Sequence, residues 1–277
     1  MPYHTLPDST QIFYKDWGHP SAPIITFSHG WPLSSDNFDA QLHFLASSGF
    51  RVIAHDRRGH GRSSQPWTGN DMDTYADDLH SLFVALDVRD AVMVGHSTGG
   101  GEVARFVGRH GASRVRGAVL IGAATPLMVR TEENPEGTPI GVFDGFRAAM
   151  RKDRAQFFRD VPEGPFFGFN RPGAATSRGM VESWFAQGMQ SSFVGSYECV
   201  KQFSETDFSE DLRKMAFPVL VLHGDDDQVV PIQTAGRKAV QLLPQGRLKE
   251  YPGGPHALPN VFAEEVNRDL LDFVKEL

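Results

Sequence analysis

Ser97 lies in the pentapeptide Gly95-His96-Ser97-Thr98-Gly99, with the apolar run Ala91 to Val94 before it and a helix-periodic run, Glu102 to His110, after it. A G-x-S-x-G nucleophile elbow needs that order of strand, sharp turn and helix, because the turn lifts the serine hydroxyl clear of both elements. The expectation is an exposed Ser97 at the tip of the turn. Gly95 and Gly99 would then remove Cβ atoms that clash between strand and helix. Gly100 and Gly101 follow, where each weakens a helix by up to ~1 kcal/mol relative to alanine. Close packing of the helix backbone accounts for them. At the helix N-terminus, the Thr98 N–H and the positive end of the dipole face any oxyanion that develops on a group attacked by the serine.

A serine hydroxyl is a weak nucleophile without a base, and the base needs a carboxylate to orient it. Both residue types recur later, each in a loop that follows a proposed strand. Val219 to His223 leads into the acidic turn Asp225-Asp226-Asp227, and Arg247 to Tyr251 leads into a Gly- and Pro-rich loop holding His256. Spacing leaves the choice among the three aspartates open, since Asp225 and Asp226 also suit the turn itself. The loop after Val115 to Ile121 reads Gly122-Ala123-Ala124-Thr125-Pro126 and has no carboxylate to offer. His29 and His223 close apolar runs beside glycine, and His55, His60 and His96 are expected to hydrogen-bond within turns. No histidine pair has a spacing such as H-E-x-x-H, so no metal is expected.

These residues need elements to hold them. Short β-branched or aromatic runs bounded by turn residues predict strands at Ile24 to Ser28, Arg51 to His55, Ala91 to Gly95, Val115 to Ile121, Val219 to His223 and Arg247 to Tyr251. Amphipathic segments predict helices at Ser35 to Ser48, Asp73 to Leu86, Thr98 to His110, Gln233 to Leu243 and Ala263 to Leu277. Alternation of nearly all-apolar strands with helices makes the fold class α/β, a mostly parallel sheet covered on both faces. Residues 125–217 break the rhythm, with 11 of the 21 phenylalanines falling between Phe143 and Phe208. The chain therefore reads as a core of residues 1–124 and 218–277 with a helical cap, 125–217, over the carboxyl ends of the strands, where open α/β sheets bind ligands.

Composition excludes other classes. With 277 residues, 40% of them hydrophobic and 22% charged, the chain suits one domain with an insertion. No apolar run approaches the ~20 residues of a membrane span. A net charge of −7 without a basic block argues against nucleic-acid and anionic-membrane partners. Cys199 is the one cysteine, which precludes an internal disulfide and suits a reducing compartment. The first residues lack a basic stretch followed by an apolar core, so the expected location is cytoplasmic.

Taken with the order Ser, Asp, His, which is that of the α/β-hydrolases, longer stretches carry a specific resemblance. They are HGWPLSSDNFDAQ from His29, AHDRRGHGRSSQPW from Ala54, GHSTGGGEVARF from Gly95, FDGFRAAM from Phe143, DRAQFF from Asp153, FSETDF from Phe203, HGDDDQVVP from His223 and PH at Pro255. Over nearly its whole length the chain resembles the α/β-hydrolase family of cofactor-free haloperoxidases, or perhydrolases, and their arylesterase relatives. The resemblance implies Ser97 as nucleophile, His256 as general base and acid, and Asp227 as the orienting carboxylate. It implies an oxyanion hole of the Trp31 and Thr98 backbone N–H groups, and an acyl pocket involving Trp31, Pro32, Phe143 and Val229. Pro32 restricts Trp31 to extended conformations and lacks an N–H of its own. The segment PHALPNVFAEEVNRD follows the family pattern only loosely.

The implied reaction is acyl transfer without a cofactor. A small ester, lactone or carboxylic acid acylates the serine, and water then releases a carboxylic acid or hydrogen peroxide a peracid. Chloroperoxidase and bromoperoxidase activity would follow from the peracid. The alternatives are a carboxylesterase or lactonase with incidental perhydrolysis and, more distantly, a non-catalytic small-molecule receptor. A homo-oligomer is compatible with all of them.

Overall fold

Alternate residues of the central strands point to opposite faces, and both faces are buried. In β5 (Ala91–His96), Ala91 and Met93 join one apolar cluster while Val92 and Val94 join another. The same split recurs in β6 (Val115–Ile121) and β7 (Val219–Gly224), where Ala118, Leu120, Val219 and Val221 oppose Val119, Ile121, Leu220 and Leu222. Two-sided burial demands helices on both faces. Leu79 of α2 (Met72–Ala85), Val103 of α3 (Thr98–His110) and Ala239 of α8 (Gly236–Leu242) cover the first. Leu42 of α1 (Asp39–Ser47) and Val266 and Leu270 of α10 (Ala263–Glu276) cover the second.

The structure, a computed structural model, describes residues 2–277. Its eight strands run in the order β1-β2-β4-β3-β5-β6-β7-β8, where β1 is Tyr3–Thr5, β2 Gln11–Trp17, β3 Ile24–Ser28, β4 Arg51–His55 and β8 Gly246–Tyr251. Strands β3 to β8 pair in parallel, while β1 and β2 are antiparallel at one edge. The expected strands are present to within one residue at each end. Strands β1 and β2 were not expected. The exposed Asp16 and Trp17 and the buried Lys15 blur the alternation of β2, whose register is set by pairing with distant β4. The helix expected from Ser35 is a 3-10 turn, Ser35–Phe38, followed by α1, and α8 begins at Gly236 rather than Gln233.

Between β6 and β7 the chain forms α4 (Ile140–Glu163), α5 (Arg178–Gln190), α6 (Phe193–Glu205) and α7 (Ser209–Arg213), with α4 broken at Asp153. A short helix, α9 (Leu258–Val261), precedes α10. Because β3, β5, β7 and β8 are parallel, the loops carrying Trp31, Ser97, Asp227 and His256 all leave the same end of the sheet. No helix among the described residues is long and apolar enough to cross a membrane.

Candidate active site

Ser97 stands between β5 and α3 with φ 55° and ψ −119°, a left-handed backbone unusual for a residue with a side chain. The glycines around it are sterically required. A Cβ on Gly95 would lie 2.4 Å from the Gly99 carbonyl oxygen, and one on Gly99 2.0 Å from that of Ser28 in β3. Gly100 packs on Ala123, where a Cβ would come within 2.4 Å of its Cβ, and Gly101 on Phe208, within 2.6 Å of its ring. The weak helix start thus lets α3 lie against two strand ends and the returning insertion. One expectation is corrected: Ser97 is only 8% accessible, because the helices after β6 roof the turn.

The serine hydroxyl lies 2.9 Å from His256 Nε2, and His256 Nδ1 lies 2.7 Å from Asp227 Oδ2. The other Asp227 oxygen accepts hydrogen bonds from the Val229 and Val230 amides at 2.9 and 2.8 Å. Burial on its own would raise the Asp227 pKa, but the electrostatic pull of the adjacent His256 and hydrogen bonds from His223 and His256 hold it well below the usual carboxylate range. An ionised Asp227 takes the Nδ1 proton of His256 as its donor. That leaves the Nε2 lone pair for the Ser97 hydroxyl, the arrangement a general base requires.

Asp225 and Asp226 do more than shape the turn. Asp225 Oδ1 accepts from the Gly253 amide at 2.6 Å, and Asp226 pairs with Arg171 at 2.6 Å. Two histidines assigned to local turns also reach further. Nε2 of His96 donates to the His256 carbonyl at 3.0 Å, and burial, followed by the nearby His256, pulls the His96 pKa down to about 3, so it is a neutral donor. His55 lies 2.8 Å from Glu102 of α3, which also binds Arg57. Burial opposes the Glu102 charge, but Arg57 and His55 outweigh it and hold the pKa at about 2. Arg57 in turn donates to the His29 carbonyl and, through its amide, to the His29 ring, both at 2.9 Å. A fully buried ion pair therefore braces the loop leading to Trp31. His60 does bond within its turn, to the Arg58 carbonyl.

Gly30 brings that loop against the nucleophile, since a Cβ there would lie 3.2 Å from Ser97 Cβ. Trp31 and Thr98 line a cavity of about 340 Å³ together with Ser97 and His256, and its remaining wall is mostly apolar. Phe143 and Val229 also line it. Pro32 does not: it follows a cis peptide bond and its ring is directed at Gly188 of α5. The wall also includes Phe146, Phe166, Trp184 and Phe203, none of them singled out in the sequence. Phe146 had a legible signal, lying three residues after Phe143 on one helix face. Phe166, whose ring meets that of His256 edge-on at 5.2 Å, and Trp184 had none, because they come from separate segments that meet only in the fold.

A mostly parallel sheet with a serine elbow after β5, a carboxylate after β7 and a histidine after β8 defines a class, and the chain belongs to it: residues 23–259 match the family model of the alpha/beta hydrolase fold. Within that family it is 58% identical over 99% of its length, and over the whole of the relative, to a non-heme haloperoxidase of Rhodococcus erythropolis. It is 54% identical, with the same coverage, to a bifunctional esterase/perhydrolase of Acinetobacter calcoaceticus. Among solved structures, a bromoperoxidase from Bacillus anthracis superposes with a TM-score of 0.91 over 96% of both chains at 36% identity.

Proposed function

We propose that the protein is a serine esterase and perhydrolase in which Ser97 is the nucleophile, His256 the general base and acid, and Asp227 the carboxylate that orients it. His256 Nε2 takes the Ser97 proton as Oγ attacks the ester carbonyl. The Trp31 and Thr98 amides hold the resulting oxyanion, and the protonated His256 gives its proton to the departing alcohol. The acyl-serine is then attacked by water or hydrogen peroxide. His256 removes the attacking proton and returns it to Ser97 as a carboxylic acid or a peracid leaves. A peracid released in this way transfers its terminal oxygen to bromide or chloride, leaving a carboxylate and a hypohalous acid.

The single observation that carries this reading is the unbroken chain of contacts from Ser97 Oγ through His256 to Asp227 at 2.9 and 2.7 Å, at the floor of an apolar cavity. The relatives named as haloperoxidase and esterase/perhydrolase support its peroxide branch. Residues 125–217 act as a cap that supplies the apolar wall, over a core of residues 1–124 and 218–277, and the proposed location is cytoplasmic. The test is the ratio of peracetate to acetate formed from phenyl acetate over a hydrogen peroxide series, with Ser97→Ala as background. A ratio above that set by concentration and intrinsic nucleophilicity is expected. A ratio at or below it makes the protein an ordinary esterase.

A further inference from the structure

The two loops that carry Asp227 and His256 are gripped from outside by a single side chain of the segment joining α4 to α5. Arg171 Nη1 donates to the Gly253 carbonyl at 2.7 Å, three residues before His256, and Nη2 donates to the Asp226 carbonyl at 2.9 Å, next to Asp227. Its Nε lies 2.6 Å from the Asp226 carboxylate. The neighbouring residues of the same segment hold the same two loops. The Phe166 carbonyl accepts from the Ala257 amide at 3.0 Å, and Asn170 Nδ2 donates to Gln228 Oε1 at 2.9 Å. Gly168 makes room for the grip: it has φ +72°, and a Cβ there would lie 2.8 Å from Arg171 Cζ.

We infer that Arg171 is a positioning residue for the Asp227–His256 pair, one that sets the spacing of their two loops from the insertion. The inference rests on the triad reading above. A planar guanidinium directs two N–H groups along fixed lines to two acceptors, whereas an ammonium on a flexible stem, with its three donors on one rotatable nitrogen, fixes neither the direction nor the separation of two acceptors. Both acceptors here are main-chain carbonyls on different loops, so the fork fixes backbone to backbone. The His256–Asp227 hydrogen bond spans those same loops, and misplacement by ~1 Å at a proton-transfer site costs on the order of 100-fold in rate. Arg171 touches no reacting atom. With its side chain 26% accessible at the rim, it is replaceable without opening the core.

The experiment uses the full chain with p-nitrophenyl acetate, each variant normalised to active sites titrated with a fluorophosphonate. Arg171→Ala is expected to lower kcat per titrated site by about 10- to 100-fold while KM moves by less than about threefold. Arg171→Lys is expected to stay within about threefold of the alanine variant, and millimolar guanidinium to restore part of the Arg171→Ala rate. Gly168→Ala, which pushes the guanidinium aside, is expected to reproduce the loss. Asp226→Asn keeps both carbonyl acceptors and is expected to change kcat less than about threefold. An unchanged kcat per site in Arg171→Ala, with the loss confined to melting temperature or to the number of titratable sites, overturns the inference, as does a rise in KM alone. Ser97→Ala separates the two readings. Turnover surviving in it removes the triad assignment, whereas a dead Ser97→Ala beside a fully active Arg171→Ala removes only the role of Arg171.

Discussion

The two sides of the catalytic cavity are built from different interactions. The sheet side supplies every group of the proposed triad and oxyanion hole and holds them with main-chain contacts and buried charge: Gly99 against the Ser28 carbonyl, Asp227 on two amides, Arg57 and Glu102 behind the Trp31 loop. The insertion side supplies Phe143, Phe146, Phe166, Trp184 and Phe203, which contact one another through rings, with Trp31 among them. Hydrogen bonds and close backbone contacts admit little displacement, whereas a ring-on-ring wall can repack. Chemistry should therefore respond to substitution of the hydrogen-bonded groups, the Arg171 fork of the insertion among them, and substrate fit to substitution of the aromatic wall.

The largest effect belongs to the sheet side. Ser97→Ala is expected to reduce kcat for phenyl acetate by about 10⁵-fold or more at unchanged fold, read by steady-state kinetics beside a circular dichroism spectrum. Next comes a pair that contrasts the sides directly. Gly99→Ala drives a Cβ into the Ser28 carbonyl and is expected to destabilise by about 3 kcal/mol or more, while Gly101→Ala meets the edge of the buried Phe208 side chain, where overpacking of about 1–3 kcal/mol is partly offset by a helix gain of up to about 1 kcal/mol. Urea unfolding of the two decides it, and equal losses would erase the distinction.

Acid should act on the sheet side as well. Burial lowers the pKa of His29 well below its ordinary value and that of His60 to about 4, with His96 at about 3. Each imidazole takes up a proton on unfolding, so the unfolded state binds more protons once pH falls below about 6.5. Stability is then complete above that pH and declines as pH drops toward the folded values. Glu102 has the same sign, being depressed from 4.5 to about 2, so its contribution, on the order of 3 kcal/mol, is lost between those pH values. Unfolding free energies at pH 7, 5 and 4 should fall in that order, and a flat profile counts against these buried groups. The smallest effect lies on the insertion side. Phe143→Ala is expected to raise KM for phenyl acetate about 10-fold while kcat changes less than about threefold, with longer acyl chains recovering relative to acetate. An equal loss in kcat would mean that the aromatic wall also positions the carbonyl.

The same division explains what could be read in the sequence. Ser97 and Asp227 follow strands whose apolar runs are short and unambiguous, and His256 follows a mixed strand, Arg247 to Tyr251, marked by the turn residues around it, so their loops could be assigned to one end of the sheet before any contact was known. The glycines after Ser97 gave their reason too, because a destabilised helix start needs a close neighbour. Choosing Asp227 over Asp225 and Asp226 required family resemblance, since the amides that bind it belong to Val229 and Val230 in the same turn and leave no mark in composition. The burial of Ser97 was missed because the roof comes from a segment distant in the chain. For the same reason the Arg57–Glu102 pair and the reach of His96 to the His256 carbonyl went unread: their partners are brought together only by sheet order.

The distribution of indole rings gives the molecule a built-in optical reporter. Of the four tryptophans, Trp31 and Trp184 line the cavity, while Trp17 and Trp67 are 38% and 79% accessible. Trp31 and Trp184 are 8% and 1% accessible, so aqueous iodide is expected to quench the outer pair first and the surviving emission to arise at the cavity. On the proposed mechanism, acylation of Ser97 would change what Trp31 faces, and that residual signal would turn the formation and decay of the acyl-enzyme into a fluorescence trace recorded on the unlabelled protein.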